Sequence, residues 1–471
     1  MKKLKDILFY AVIIGGFSAL IYGIIFYGKA LEEGRGIVSN ISEKTPFQEF
    51  IGSLLDNLHH SIGLLVLQII TIIIVSRIFG WAFKKIGQPM VIGEILAGIV
   101  LGPSLLGLYF PDVSGFLFPA QSLGNLNILS QIGLILFMFV IGMELNLKVL
   151  RNKAHEAVVI SHASIIIPFA LGVALAYIIY TAHAPDHIEF SSFALFIGIS
   201  MSITAFPVLA RIIQERGMQK TKLGAIAITC AAADDITAWC ILAVVIAIVK
   251  AGSVVSSAYT IVLAVAYVAF MIKVVRPFLQ KLGKRYQADK EVSKTLIAIF
   301  FVVMLVSAFV TETIGIHALF GAFMAGVMMP SDMQFRSKFA GKIEDVALVL
   351  FLPLFFVMSG LRTEIGLIDD PELWRITGLI ILVAIVGKFA GSAIAAKVVG
   401  QSWKDSLTIG SLMNTRGLME LVVLNIGYDL GVLNAEIFAM MVIMALVTTF
   451  MTGPLLNLIN KIFKKEESAN L

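Results

Sequence analysis

Charged residues are scarce in this sequence. Of its 471 residues, 14% are Lys, Arg, Asp or Glu and 58% are apolar, and the mean hydropathy is +0.93. A soluble domain is typically about one quarter charged and about half apolar. Because no soluble fold could bury this much apolar surface, the composition predicts that lipid surrounds most of the chain.

Cysteine is nearly absent as well. Cys230 and Cys240 lie in one apolar run, and ten residues of helix would separate them by about 15 Å, too far for a disulfide. The sequence also lacks a His, Cys and Asp grouping with metal-ligand spacing and a glycine-rich nucleotide-binding motif. A membrane enzyme is therefore disfavoured, and we expect no cofactor. The basic residues lie in loops between apolar runs, so the net charge of +5 does not indicate a nucleic-acid partner.

Fourteen apolar segments are long enough to cross a bilayer. The first lies near 7–28, and we number the thirteen that follow as segments 1 to 13. These lie near 60–80, 89–108, 126–146, 155–180, 190–213, 221–249, 257–280, 292–312, 315–330, 343–361, 374–396, 404–428 and 434–460. The sequence thus predicts an all-α polytopic membrane protein with thirteen core transmembrane helices and an extra N-terminal helix.

The basic residues predict the orientation. Most of the 36 lysines and arginines lie in every second connecting segment, and such residues stay on the cytoplasmic side. We therefore expect a multi-pass protein of the inner (plasma) membrane with both termini in the cytoplasm. Residues 1–59 would form an N-terminal helix and an outside loop, residues 60–460 the membrane domain, and residues 461–471 a short basic tail. A cleaved signal peptide is the alternative for the first segment.

The chain also resembles itself at long range. Segment 3 ends in Phe137–Glu144 and segment 10 in the similar stretch Phe355–Arg362, while segments 5 and 12 are interrupted at Ser202–Pro207 and Asn414–Gly417. The two units are seven segments apart. Since seven is odd, the second unit crosses the membrane in the opposite direction, which is the inverted-repeat architecture of secondary transporters. Pro207 removes a backbone donor, and we expect Arg416 and Glu420 to support the second break.

A few ionisable residues fall inside apolar segments, where a charge is costly. Asp234 and Asp235 lie near the middle of segment 6, and Lys388 lies near the middle of segment 11. Adjacent aspartates point about 100° apart on a helix, so they can face different neighbours. One arrangement pairs Asp234 with Lys388 and leaves Asp235 facing a water-filled path. A carboxylate there can hold a proton or a hard cation but not both, which is the simplest chemistry for exchange. A structural ion pair between the helices is the alternative.

These residues resemble the monovalent cation:proton antiporter-2 family, relatives of bacterial sodium/proton antiporters. The resemblance covers about residues 60–460. It lies in Val91–Pro103, Phe137–Glu144, Ser202–Arg211, Asp234–Asp235, Phe355–Gly360 and Lys388. It implies a core subdomain, a dimerisation subdomain and hence a homodimer, and transport by an elevator-like movement of the core.

The resemblance also implies roles for single residues. Asp235 matches the aspartate that binds the monovalent cation or the proton, Asp234 matches the one that pairs with Lys388, and Thr204 lies where the first broken helix unwinds near the ion. Family members with this aspartate pair and lysine are generally electrogenic. Potassium-efflux members commonly carry Gln-Asp instead of the pair and a nucleotide-binding domain, neither of which this sequence contains.

Exchange of a monovalent cation, Na+ or else K+, for H+ is therefore the function that the sequence favours. A passive cation channel or a potassium-efflux system are the alternatives. A channel would share the acidic path but could not concentrate a cation against its gradient.

Overall fold

The computed structural model describes residues 2–32, 45–59, 61–144, 154–218, 221–251, 254–286, 294–330, 340–341 and 343–469. Within these ranges the regular structure is helical, without a strand. The all-α prediction is confirmed. Most of the predicted outside loop falls at residues 33–44, outside the described residues.

Residues 1–63 form a separate unit. Its helices are α1 (Lys2–Gly28) and α2 (Pro46–His59). Phe9–Gly28 is apolar and long enough to cross a membrane, and none of its side chains is buried within this structure. Whether this segment is a retained helix or a cleaved signal stays a prediction.

The second unit comprises residues 64–471. Its helices follow along the chain, and the first of them begins at Ser61, three residues before the boundary between the units. They are α3 (Ser61–Lys85), α4 (Met90–Leu101), α5 (Pro111–Leu117), α6 (Ala120–Glu144), α7 (Ala154–His183), α8 (Phe190–Ser202), α9 (Phe206–Glu215), α10 (Lys222–Ala251), α11 (Val254–Phe270), α12 (Arg276–Tyr286), α13 (Lys294–Ile314), α14 (Ala318–Val327), α15 (Leu352–Leu361), α16 (Pro371–Ile385), α17 (Gly391–Val398), α18 (Trp403–Met413), α19 (Leu418–Asp429) and α20 (Ala435–Ala469).

Short π-helical turns join several of these helices into longer rods. Met271–Val275 connects α11 to α12, Ala347–Phe351 leads into α15, and Val386–Ala390 connects α16 to α17. A π-helical turn widens a helix locally and is frequent at functional sites. The turn between α16 and α17 contains Lys388 and belongs to the site described below.

Eleven helical stretches of the described residues are long and apolar enough to cross a membrane, so the protein is a multi-pass membrane protein. They correspond to eleven of the fourteen predicted segments. The other three are segment 9, observed as the ten-residue helix α14, and segments 5 and 12, each of which is two half-helices. The count of thirteen core transmembrane helices stays a prediction.

Segments 5 and 12 are broken where the sequence predicted. Between α8 and α9 the chain is extended at Ile203, and between α18 and α19 it unwinds over residues 414–417. Gly417 has φ +155°, a conformation that favours glycine, and Val208 lies 3.0 Å from where a Cβ at Gly417 would stand. The two breaks touch, because the Ala205 N–H donates to the Thr415 carbonyl at 3.1 Å.

The ends of segments 3 and 10 share a packing role. A Cβ at Gly142 would lie 2.2 Å from the Phe323 carbonyl oxygen, and one at Gly360 would lie 2.2 Å from the Gly98 carbonyl carbon. Small residues at such crossings let helix backbones approach closely, which is how transmembrane helices associate without a hydrophobic driving force. The repeated Phe-Val-Gly-type stretches therefore fix α6 against α14 and α15 against α4.

Candidate functional site

Asp234 accepts a complete set of hydrogen bonds. Its side chain is 0% exposed and lies in the middle of α10. Its oxygens accept from Ser161 Oγ at 2.6 Å, Ser164 Oγ at 2.5 Å and Thr204 Oγ1 at 2.8 Å, and from Lys388 Nζ at 3.2 Å. Donors of this kind stabilise an ionised carboxylate. Asp234 therefore has its charge compensated within the protein.

Asp235, one residue later, has the opposite environment. It is 1% exposed, yet neither carboxylate oxygen has a hydrogen-bond partner among the residues that the structure describes. The backbone N–H of Phe206, the first residue of α9, lies near this carboxylate, and a helix N-terminus favours a negative charge. A buried carboxylate without a partner is costly, so a bound proton or cation would stabilise this side chain.

Lys388 is held in the π-helical turn Val386–Ala390 and is 0% exposed. Besides Asp234, its Nζ donates to the Ser202 carbonyl at 2.5 Å, the Ser164 carbonyl at 2.7 Å and Ser164 Oγ at 2.9 Å. An ammonium has three N–H bonds, so these oxygens share them. Ser202 is the last residue of α8, and a cation at the carboxyl end of a helix is favourable.

Arg416 binds the same end of α8. Its Nη1 donates to the Ser200 carbonyl at 2.9 Å and its Nη2 to the Met201 carbonyl at 2.7 Å. The guanidinium also forms an ion pair with Glu420, in the first turn of α19. The hydroxyl of Thr449 accepts from the Arg416 N–H at 3.1 Å and donates to the Arg416 carbonyl at 2.8 Å. The unwound backbone at Arg416 is thereby satisfied, as burial requires.

The formal charges at this crossing do not cancel. Among the described residues, five Lys, Arg, Asp and Glu side chains are fully buried. They are two cations and three carboxylates, namely Lys388, Arg416, Asp234, Asp235 and Glu420. When all are ionised their sum is one negative charge. Lys388 is paired with Asp234 and Arg416 with Glu420, so the uncompensated charge belongs to Asp235. One monovalent cation or one proton would neutralise it.

The structure therefore brings most of the predicted residues to one place. Thr204 contacts Asp234 rather than Asp235, so its predicted place beside the ion stays a prediction. Pro207 is the second residue of α9. In that position its missing N–H would have no helical partner in any case, and the break itself precedes it.

Sequence reasoning missed three hydroxyl groups of this site, those of Ser161, Ser164 and Thr449. Ser161 and Ser164 lie three residues apart and so share one face of α7. The only sequence feature that could have indicated their role is this spacing of two serines within an apolar helix. Thr449, in α20, offered none, because transmembrane helices commonly contain hydroxyl residues that bond their own backbone.

A cavity of about 710 Å³ approaches the crossing from one side. Its lining includes the ionisable side chains of Arg77, Glu94, Glu344 and Asp345, with Val208 from α9 and Leu418 at the start of α19. By the basic-residue distribution, this is the side that we predict to be cytoplasmic. The cavity thus reaches both broken helices from the predicted cytoplasm.

Similar proteins are known in several organisms. The family described as "Sodium/hydrogen exchanger, transmembrane" matches residues 58–460. The Na+/H+ antiporter NhaS4 of Synechocystis sp. is 42% identical over 393 residues, which are 83% of this chain and 96% of that protein. Cation/H+ antiporter 17 of Arabidopsis thaliana is 41% identical, and the match covers 84% of this chain and 48% of that protein.

K+/H+ antiporter 1 of Saccharomyces cerevisiae is 33% identical, with 84% of this chain and 46% of that protein covered. The chain therefore spans about half the length of these plant and yeast relatives. Among solved structures, the sodium/proton antiporter MjNhaP1 of Methanocaldococcus jannaschii has the same fold, with a TM-score of 0.63 at 14% identity over 86% of this chain and 99% of that one. By the extent of these matches, the chain belongs to the sodium/hydrogen exchanger family of monovalent cation:proton antiporters.

Proposed function

We propose that this protein exchanges a monovalent cation for protons across the membrane, with Asp235 as the group that binds either one. The observation that carries the proposal is the contrast between two adjacent carboxylates. Asp234 accepts hydrogen bonds from four side chains, whereas both oxygens of the buried Asp235 lack a partner among the described residues. The buried Asp235 carboxylate has no neighbour that compensates its charge. It is therefore suited to bind a proton or a cation that is later released.

Competition at Asp235 would couple the two fluxes. A carboxylate that has taken up a proton has lost the charge that attracts a cation, and a bound cation displaces the proton. The crossing half-helices direct a helix N-terminus at this carboxylate, an arrangement that secondary transporters use for ions at the membrane midplane. Exchange then requires that Asp235 is reached from each side of the membrane in turn.

The cavity lined by Glu94, Glu344 and Asp345 is the proposed entry from the cytoplasm, and its carboxylates would attract cations. Asp235 is 1% exposed in this conformation. Neighbouring side chains therefore have to move before an ion arrives. Alternating access by an elevator-like movement of a core subdomain, carried by a homodimer in the inner membrane with its C-terminus in the cytoplasm, completes the proposal.

Lys388 is proposed to take part in the coupling. A buried lysine can lose its proton, unlike an arginine, and Lys388 is bound to Asp234. If a cation draws Asp234 away, Lys388 can release its proton together with the one from Asp235. More protons than cations would then move in each cycle, which makes the exchange electrogenic.

Sodium is the first candidate for the transported cation, since the relative from Synechocystis is named as a Na+/H+ antiporter. Potassium is the second candidate, because the yeast relative is named as a K+/H+ antiporter. Both are hard cations that accept carboxylate and carbonyl oxygens. The cation is cargo here, and the proposal includes no cofactor.

The test is transport by the purified full chain in proteoliposomes loaded with a pH-sensitive dye. Addition of NaCl, KCl or LiCl outside vesicles with an acidic interior should alkalinise the lumen, and labelled cation should accumulate against its gradient. Asp235→Asn should abolish both signals. Asp369→Asn is the matched control, because it makes the same chemical change at an exposed carboxylate outside the site.

Two results would reject the proposal. Exchange by Asp235→Asn at the wild-type rate would remove Asp235 from its role. Cation flux that only follows the cation gradient, with no uphill movement on a proton gradient, would identify a passive channel instead.

A further inference from the structure

Two cations hold the carboxyl end of α8. Lys388 donates a hydrogen bond to the Ser202 carbonyl, and Arg416 donates hydrogen bonds to the carbonyls of Ser200 and Met201. The carboxyl end of a helix carries about half a negative charge, and this end is buried. A fixed positive charge there would stabilise this helix end throughout the transport cycle.

The two cations differ in one chemical property. Lysine can give up its proton when it is buried, whereas arginine stays protonated in proteins. If Lys388 becomes neutral during exchange, as the proposed function requires, it ceases to compensate the end of α8. Arg416 continues to do so, because its charge is permanent.

We propose that Arg416 is a positioning residue, which holds the carboxyl end of α8 with a permanent charge and so allows Lys388 to release its proton. The inference rests on the proposed function and assigns to Arg416 a part in its pH dependence. Arg416 acts through the helix end and through Lys388, and it does not itself bind the transported ion.

The surroundings of Arg416 suit a fixed charge. Its backbone is held by Thr449, and its guanidinium is held by Glu420. Arg416 belongs to the break in segment 12 but caps a half-helix of segment 5. It therefore ties the two broken helices together, and its position does not depend on the state of Lys388.

The charged groups around Lys388 determine the direction in which each substitution should change the pH dependence. Asp234 and Asp235 come from α10, Arg416 and Glu420 come from segment 12, and α7 contributes the neutral hydroxyl of Ser164. Like charges repel, so Arg416 favours release of the Lys388 proton, and Glu420 opposes it. Neutralising Arg416 and neutralising Glu420 should therefore change the pH dependence in opposite directions.

The experiment measures the pH dependence of radiolabelled Na+ binding to the purified full chain by a scintillation proximity assay, with radiolabelled Rb+ as second probe. This readout does not require turnover. Arg416→Gln should move the midpoint of binding to higher pH by about one unit, and Glu420→Gln should move it to lower pH. Arg416→Lys, which restores a cation that can itself lose its proton, should give a midpoint between those of Arg416→Gln and the wild type.

Controls separate this role from a structural one. Arg375→Gln breaks an exposed Arg–Glu pair within one helix and should leave the midpoint unchanged. Thermal unfolding of each variant reports its folding. In a Lys388→Ala background, the shift caused by Arg416→Gln should disappear.

Three outcomes would overturn the inference. The first is a shift of both variants in the same direction, or weaker binding at every pH with an unchanged midpoint. The second is persistence of the shift without Lys388, which would mean that Arg416 acts on Asp235. The third is wild-type protein that binds neither Na+ nor Rb+ in a pH-dependent way, and that result would reject the proposed function itself.

Discussion

The backbone N–H of Ala205 donates a hydrogen bond to the carbonyl oxygen of Thr415 at 3.1 Å. These residues are more than two hundred positions apart, and each lies in the interruption of a membrane segment. Backbone groups freed by unwinding cannot be left unsatisfied in a membrane interior. Each break thus supplies a partner for the other, and the half-helix ends beside them are directed at buried charged side chains.

Asp235→Asn should make the protein more stable while it abolishes exchange. The substitution removes a buried charge that has no partner among the described residues, and such a charge costs more than the roughly 1–3 kcal/mol of an unsatisfied neutral group. Thermal unfolding in detergent at alkaline pH, without Na+ or K+, should show a higher midpoint than wild type. A lower midpoint would mean that the Asp235 carboxylate has a stabilising partner.

Asp234→Asn should have the opposite effect on stability. The neutral amide would leave Lys388 buried without its ion-pair partner, and breaking a buried pair in this way costs about 3–5 kcal/mol. The same thermal assay should therefore show a lower midpoint. Since the two aspartates are adjacent and the chemical change is identical, each variant is the matched control of the other. Equal midpoints for both would contradict the assignment of separate roles.

Lys388→Ala should change how exchange responds to membrane potential. If Lys388 carries a proton in each cycle, its loss reduces the net charge that crosses the membrane, and a potential imposed with valinomycin should affect the rate less. Lys222→Ala is the control, because Lys222 is exposed at the start of α10. An unchanged voltage response in Lys388→Ala would exclude this lysine from the coupling.

A contact between the ends of segments 10 and 12 predicts an effect on access. Arg362 donates to Asn425 Oδ1 at 2.9 Å, lies 2.9 Å from Asp429 Oδ1 and is 5.5 Å from the Tyr428 ring centre. This contact lies at the ends of α15 and α19 that we predict to face outward. If these two helix ends separate when the outer side opens, the contact breaks.

Arg362→Gln should therefore favour the outward-facing conformation. The ion pair is partly exposed, with side chains 19% and 44% accessible. Its strength is then about 1 kcal/mol or less, and the half-saturating external Na+ concentration should fall by up to about fivefold. Arg375→Gln, which breaks a pair inside one helix, should leave it unchanged. An increase for Arg362→Gln would contradict closure of the outer side by this contact.

Much of this fold follows from local sequence. Long apolar runs predict spanning helices wherever they are continuous, and the interruptions at Ser202–Pro207 and Asn414–Gly417 correspond to the observed breaks. Buried charges such as Asp234 and Lys388 stand out because the surrounding residues are apolar. The sequence allowed these two to pair, and the structure places them 3.2 Å apart.

Other parts of the site depend on tertiary packing and leave no such trace. Ser161, Ser164 and Thr449 are ordinary hydroxyl residues of apolar helices, and they gain their roles from partners far along the chain. The π-helical turn that carries Lys388 has no proline or glycine pair that marks it. The hydrogen bonds from Arg416 to the end of α8 likewise could not be predicted from the sequence. An ion pair with Glu420, four residues later, already accounted for a buried arginine at this position.

The central claim is that one carboxylate cannot hold a proton and a cation together. The most direct test is proton release in weakly buffered solution when saturating NaCl or KCl is added to the purified protein at a pH below the midpoint of its pH-dependent binding, where the free site still carries its proton. We expect release of at least one proton per bound cation by wild type and by Asp369→Asn, and none by Asp235→Asn. Cation binding by wild type without proton release, or release that persists in Asp235→Asn, would contradict the account.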